Sequence, residues 1–112
     1  MSEVLDAEDA KLVTLARGAR GRIGAVQGAA IRDDMGRTYS GATVASGALV
    51  FSALQLAVAQ AIASGARGIE CAVVCGSAGI DDDTAVVHDF AGAGIAVIHV
   101  NPDGSVRDRV MT

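Results

Sequence analysis

Between Arg37 and Arg67 the chain carries no formal charge at all: residues 38–66 read TYSGATVASGALVFSALQLAVAQAIASGA. A run this apolar constrains the fold more than any other feature. It either crosses a membrane, or it supplies strands and a helix that are covered on more than one side. The interruptions favour the second option. Thr38–Tyr39–Ser40–Gly41, Thr43, Ser46 and Gly47 read as strand and turn, and Ser52, Gln55, Gln60 and Ser64 mark the helical part. The spacing predicts a helix from about Ala48 to Ser64, stopping at Gly65. It is apolar nearly all round, with Leu49, Val50, Leu54, Leu56, Ala57, Val58, Ala61 and Ile62 pointing in several directions.

The rest of the chain limits what such a helix can pack against. With 112 residues there is one domain, 1–112, and a modest core. Aromatics are only 3%, so that core is built of Ala, Val, Ile and Leu, and base-stacking surfaces are not expected. The formal net charge of −4 argues against a general nucleic-acid binder, which needs a basic face. Cys71 and Cys75 are too few for a disulfide framework and read as reduced, buried thiols. The start, MSEVLDAEDAKL, is acidic where a secretory leader is basic and then apolar. A cytoplasmic protein with no membrane span is the expectation.

Alternating elements follow along the chain. Asp6 or Asp9 caps a first helix with Leu12, Val13, Leu15 and Ala16 on its apolar side, ending near Gly18–Gly21. Gly28–Ile31 is a short strand, Asp33–Gly36 a hairpin turn, and Thr38–Ala45 the returning strand. After the apolar helix, Ile69–Cys75 is a buried strand. Asp81–Asp82–Asp83–Thr84 opens a third helix, with acids where the helix dipole favours them. Gly94–Val100 is another buried strand, Asn101–Gly104 a turn, and Ser105–Val110 an edge strand. The order α-β-β-α-β-α-β-β calls for a mixed sheet with helices on its faces.

That order, carried by AVQGAAIRDDMGRTYSGATVASGA, the helix ending in ASGARG, IECAVVCGSAG and TAVVHDFAGAGIAVIHVNPDGSV, resembles the cytidine deaminase family. The resemblance implies an α/β, three-layer α-β-α fold around a mixed five-stranded sheet, with the family's C-terminal helix missing. In the family the second strand carries an Asn-x-Glu-Asn motif, the next helix opens with Cys-Ala-Glu or His-Ala-Glu, and the third helix with Pro-Cys-x-x-Cys. A zinc deaminase needs three thiolate or imidazole ligands and a carboxylate that shuttles the proton. Carried over residue by residue, Cys-Ala-Glu falls on Ser52-Ala53-Leu54, and the paired cysteines fall on Ile80 and Asp83. The sugar-binding Asn and Glu fall on Thr43 and Ala45, and an apolar Phe on Ala25. No Cys or His occurs in residues 1–70, so a shift of register supplies no first ligand. The resemblance is therefore to a member without the zinc and catalytic motifs: no catalytic residue, no metal and no cofactor are expected.

Other groups have a functional and a plainer reading. Cys71 and Cys75, four apart on a strand, share one face and read as core thiols. A zinc site from Cys75, His88 and Asp82 or Asp83 matches no closed structural pattern. Asp81–Asp83 lacks the ligand alternation of a calcium loop. Arg17, Arg20 and Arg22 are able to take a phosphate, but no phosphate-loop glycine pattern accompanies them, and a solvated helix end is favoured. His88 reads as a surface residue and His99 as a satisfied strand histidine.

The expected function is that of a catalytically inactive, oligomeric binding or structural protein. The alternative is a nucleoside deaminase-type hydrolase with a non-standard site. Family members are commonly tetramers with the apolar helix near subunit contacts. A homo-oligomer, tetramer before dimer, is expected through residues 48–64, with Gln55 or Gln60 bonding across subunits. A protein partner or small ligand is otherwise undefined.

Overall fold

The computed structural model describes residues 5–76 and 84–112. The elements run α1 (Ala7–Ile23), β1 (Gln27–Asp33), β2 (Thr38–Ala42), β3 (Val44–Ser46), β4 (Leu49–Phe51), α2 (Ala53–Ala63), β5 (Ile69–Gly76), α3 (Thr84–Ala91), β6 (Ala96–Val100) and β7 (Val106–Met111). A five-stranded sheet has the order β2-β1-β5-β6-β7, and β3-β4 is a separate small hairpin. Among the described residues only the β5–β6 pair is parallel; the other pairs are antiparallel. The sheet is therefore mixed, and its two faces carry different helices.

Alternation along the strands sorts the core into two halves. Leu12, Val13 and Ala16 of α1 pack with Ala30, Cys71, Val73, Cys75, Ile98 and Val100 on one face. Leu54, Ala57, Val58 and Ala61 of α2, with Val87 of α3, pack with Ala29, Ile31, Ala72, Val74 and Val97 on the other. This is the expected three-layer α-β-α arrangement. Each fully buried Leu, Ile or Val in these layers contributes about 1.5–3 kcal/mol.

The largest differences from the sequence reading fall at three boundaries, each for a local reason. Helix α1 continues past Gly18 and Gly21, which sit in open space, and turns off at Gly24, whose N–H donates to Arg20 O. Glycine inside an exposed helix costs only about 1 kcal/mol, so it need not end one. The returning strand stops at Ala42: Thr43 N still donates to Gln27 O at 3.1 Å, but it is the Thr43 hydroxyl that accepts from Gln27 N at 3.1 Å, and the chain leaves the sheet there. The apolar helix starts at Ala53 rather than Ala48. Leu49–Phe51 pairs with Val44–Ser46 instead, and Ser52 takes the N-cap. The acidic opening of the third helix, Asp81–Asp83, lies outside the described residues.

Helix α2 is 11 residues long, about 16 Å at 1.5 Å per residue. Among the described residues no helix is long and apolar enough to cross a membrane. Nor is α2 buried all round within the chain. Ala53, Leu54, Ala57, Val58 and Ala61 face the sheet, whereas Gln55, Ala59, Gln60, Ile62 and Ala63 are exposed. Its close seat on β2 depends on Gly41, where an added Cβ would come within 2.9 Å of Ala53 O.

Candidate functional site

The positions that the resemblance assigns to catalysis gather where β3–β4 leads into α2. Val44 pairs with Phe51, so Thr43 and Ser52 flank one register position. Ser52 Oγ accepts from Gln55 N at 3.1 Å, and Gln55 Oε1 accepts from Ser52 N at 2.9 Å. This reciprocal pair satisfies two helix-end donors. Leu54 is fully buried and belongs to the core on the α2 face. Thr43 Oγ1 accepts from Gln27 N at 3.1 Å. Ala45 is exposed on β3, and Ala25 is half-buried with its N–H donating to Arg20 O. Ile80 and Asp83 lie outside the described residues. Among the described family positions the side chains are thus two hydroxyls, one of them in a cap, and alkyl groups.

Other predicted groups are held apart. Cys71 and Cys75 do share a face, the one that packs on α1. Helix α3 packs on the opposite face and His88 is exposed, so the sheet separates Cys75 from His88. Among the described residues no three His, Cys, Asp or Glu side chains gather as a metal site would need. Burial, with the charge of Asp9 adding, pushes the Cys71 thiol up to about 12. Burial also raises Cys75, against the pull of Arg20, Arg17 and Arg107. His99 Nδ1 lies 2.6 Å from Asp108 Oδ1 across the β6–β7 pair.

The best-formed polar centre was read from the sequence only as a turn. Asp33 is fully buried at the end of β1. Its Oδ1 accepts from Met35 N and Arg37 N, each at 2.8 Å. Its Oδ2 accepts from Arg37 Nε at 2.8 Å and Tyr39 Oη at 3.1 Å. Burial alone would raise this carboxyl, but the N–H groups of Arg37 and Met35, the guanidinium and the phenol together bring it below the usual carboxylate value. The signal available in the sequence was an Asp four residues before an Arg across a Gly turn, with Tyr39 two further on. Beside this turn, Asp34, Met35, Arg37, Gly65 and Arg67 line an open cleft of about 300 Å³. Asp34 Oδ1 accepts from Arg67 N at 3.3 Å and so ties the turn to the α2–β5 loop. A second cleft, about 220 Å³, lies between Ile23 of α1, Gly41 of β2, Val44 of β3 and Leu56 of α2.

A three-layer sandwich whose second and third helices share one face of a β2-β1-β5-β6-β7 sheet is the architecture of the cytidine deaminases. The model of the family described as cytidine deaminase-like matches residues 5–104, and the chain belongs to that family. Its fold is similar to the cytidine deaminase of Burkholderia pseudomallei, with TM-score 0.72, 23% identity and 90% of each chain covered. The Mycobacterium leprae enzyme gives TM-score 0.69 at 16% identity, over 91% of this chain and 93% of that one. The Mycobacterium tuberculosis enzyme gives 0.66 at 21%, over 82% and 85%. No curated protein sequence matches the chain.

Proposed function

We propose that this protein keeps the cytidine deaminase-like fold without deaminase chemistry, and acts as a self-associating binding or structural protein. The first turn of α2 carries the reading. There Ser52 stands where the family has a metal ligand and Leu54 where it has the proton-shuttling carboxylate. The Ser52 hydroxyl is engaged in the helix cap, and Leu54 is sealed into the core. A hydroxyl is a poor zinc ligand, and an alkyl side chain moves no proton. These residues do not fit zinc, so no catalytic step is routed through a metal and no cofactor is assigned.

Self-association is supported by the apolar surface left open. Ile23, Val26, Leu49, Val50 and Ile62 are between 50% and 70% exposed, on the end of α1 and the link that follows it, the β3–β4 hairpin and the outer side of α2. Patches of this kind mark contact surfaces. Gln55 Oε1 and Gln60 Nε2 are engaged within the chain, Gln60 Nε2 donating to Ser40 O at 2.7 Å, which leaves Gln55 Nε2 and Gln60 Oε1 on the exposed side of α2 for bonds across subunits. Two buried thiols suit a reducing compartment such as the cytoplasm.

The test joins three measurements on the full chain: metal content, turnover of cytidine and deoxycytidine, and light scattering at micromolar concentration. The reading expects no stoichiometric zinc, no turnover and a mass that is a multiple of 11.2 kDa. A zinc-to-protein ratio near one, or turnover above background, overturns the first half. A soluble monomer overturns the second. Val50→Glu and Ile62→Glu are the variants to dissociate the assembly. Ala57→Glu and Ala61→Glu are not, because both alanines are fully buried and a charge there would unfold the chain.

A further inference from the structure

Three arginines meet over the carboxyl end of β5. Arg17 and Arg20 are one turn apart on α1. Arg107 comes from β7, where Val106 opposes Val100 and Asp108 opposes His99. Arg107 is thus the extra residue of a β-bulge, a device that re-aims a side chain. It reaches past β6 and donates from Nη1 to Gly76 O at 3.1 Å and Asn101 Oδ1 at 3.4 Å. Arg20 Nε donates to Val26 O at 3.4 Å and Arg17 Nε to Pro102 O at 3.0 Å. Val26 O lies only 2.5 Å from where a Gly76 Cβ would stand. Arg20 and Arg107 are therefore braced on two carbonyls, Val26 O and Gly76 O, that the lack of a side chain at Gly76 lets come close, and with Arg17 their charges reach the Cys75 thiol.

Bracing the loops does not account for this arrangement. Each guanidinium has five N–H donors, and the brace engages one or two of them. Among the described residues none of the three arginines forms an ion pair with a carboxylate. The carboxylate of Asp103, whose Oδ1 accepts from Ser105 N at 2.9 Å and Ser105 Oγ at 2.6 Å, is attracted to Arg17 but forms no ion pair with it. Converging like charges repel, and among the described residues Asp103 is one carboxylate beside three guanidinium groups. A bound oxyanion removes that repulsion and engages the remaining fork of N–H groups.

We infer that Arg17, Arg20 and Arg107 form a site for the phosphate group of a small phosphorylated molecule, at the carboxyl end of β5 on the α1 face. This is the opposite face from Leu54, so the inference stands whether or not the protein deaminates anything. Arg22, grouped with Arg17 and Arg20 in the sequence, is not part of it, since it lines the cleft beside Ile23 and Leu56.

The test is an amide and arginine Nε–Hε NMR titration of the full chain with inorganic phosphate and, separately, glycerol 3-phosphate. Sodium chloride keeps the ionic strength constant. Saturable shifts are expected at Gly76 and at the Nε–Hε groups of Arg17, Arg20 and Arg107. Arg107→Gln should weaken binding about tenfold or more, in line with loss of charge-assisted hydrogen bonds. Arg22→Gln should leave binding unchanged. Tighter binding of glycerol 3-phosphate supports a monoester ligand, and equal binding supports free phosphate. Shifts that track chloride, or that centre away from Gly76, overturn the site even if the Arg107 variant fails to fold.

Discussion

Asp33 and Leu54 stand at two ends of the same α2-side core, and they treat the problem of a buried carboxylate in opposite ways. At Asp33 the carboxylate is buried and kept, because two backbone N–H groups, a guanidinium and a phenol hydroxyl converge on it within 3.1 Å. At Leu54, where the resemblance assigns a carboxylate, the side chain is aliphatic, and its surroundings are Ala, Val and Ile. A buried charge persists only where donors are built around it. The first site has the donors. The second belongs to the hydrophobic core.

The sharpest way to break this comparison is Leu54→Glu. A carboxylate without donors in that core should cost more than the roughly 2–5 kcal/mol of a Leu→Ala cavity, and the variant should fail to give a cooperative melt at neutral pH. A folded Leu54→Glu protein would mean that the α2 start still holds donors for a carboxylate. Next in size is Asp33→Ala, which strands the Arg37 guanidinium, the Tyr39 hydroxyl and two N–H groups. Its melting temperature should fall well below that of Ser52→Ala, which removes one cap and costs about 1 kcal/mol. The reverse order would remove Asp33 from its place in the comparison.

Acid sharpens the same contrast. The folded Asp33 carboxyl titrates below its unfolded value, so its contribution is present above about pH 4 and is lost as pH falls through the folded value. Asp33→Asn should therefore lose less stability than the parent between pH 4 and pH 2, measured by chemical denaturation at each pH. The smallest effect concerns the thiols. With Cys71 held at about 12 and both cysteines buried, Ellman's reagent should find no reactive thiol at pH 8 until denaturant is added. Rapid native labelling would show that the α1-side core opens.

Much of this was legible in the chain. The charge-free run of residues 38–66 demanded cover, the near-continuous apolar runs Ile69–Cys75 and Gly94–Val100 pointed to two buried strands, and the absence of Cys, His and Glu at the start of α2 was plain from residue types. Local signals misled where they competed. Leu49–Val50–Phe51 suits either helix or strand, and its pairing with Val44–Ser46 decided for strand. Arg17, Arg20 and Arg22 looked like one cluster in sequence, yet helix rotation sent Arg22 to a different cleft from the one end of β5 that Arg17 and Arg20 share with Arg107.

What the sequence determined by itself was therefore the periodic and the local: which segments are apolar enough to be covered, that Asp6 or Asp9 opens the first helix, and which residue types the α2 start does not contain. Tertiary structure decided whatever joins residues far apart. It closed Asp33 with Tyr39, carried Arg107 across β6 to Gly76, put Cys75 and His88 on opposite sides of a sheet, and left Val50 and Ile62 facing outward. The reason is physical. Propensity and capping depend on neighbours a few residues away, whereas burial and charge pairing depend on strand register and on which face of the sheet each helix covers.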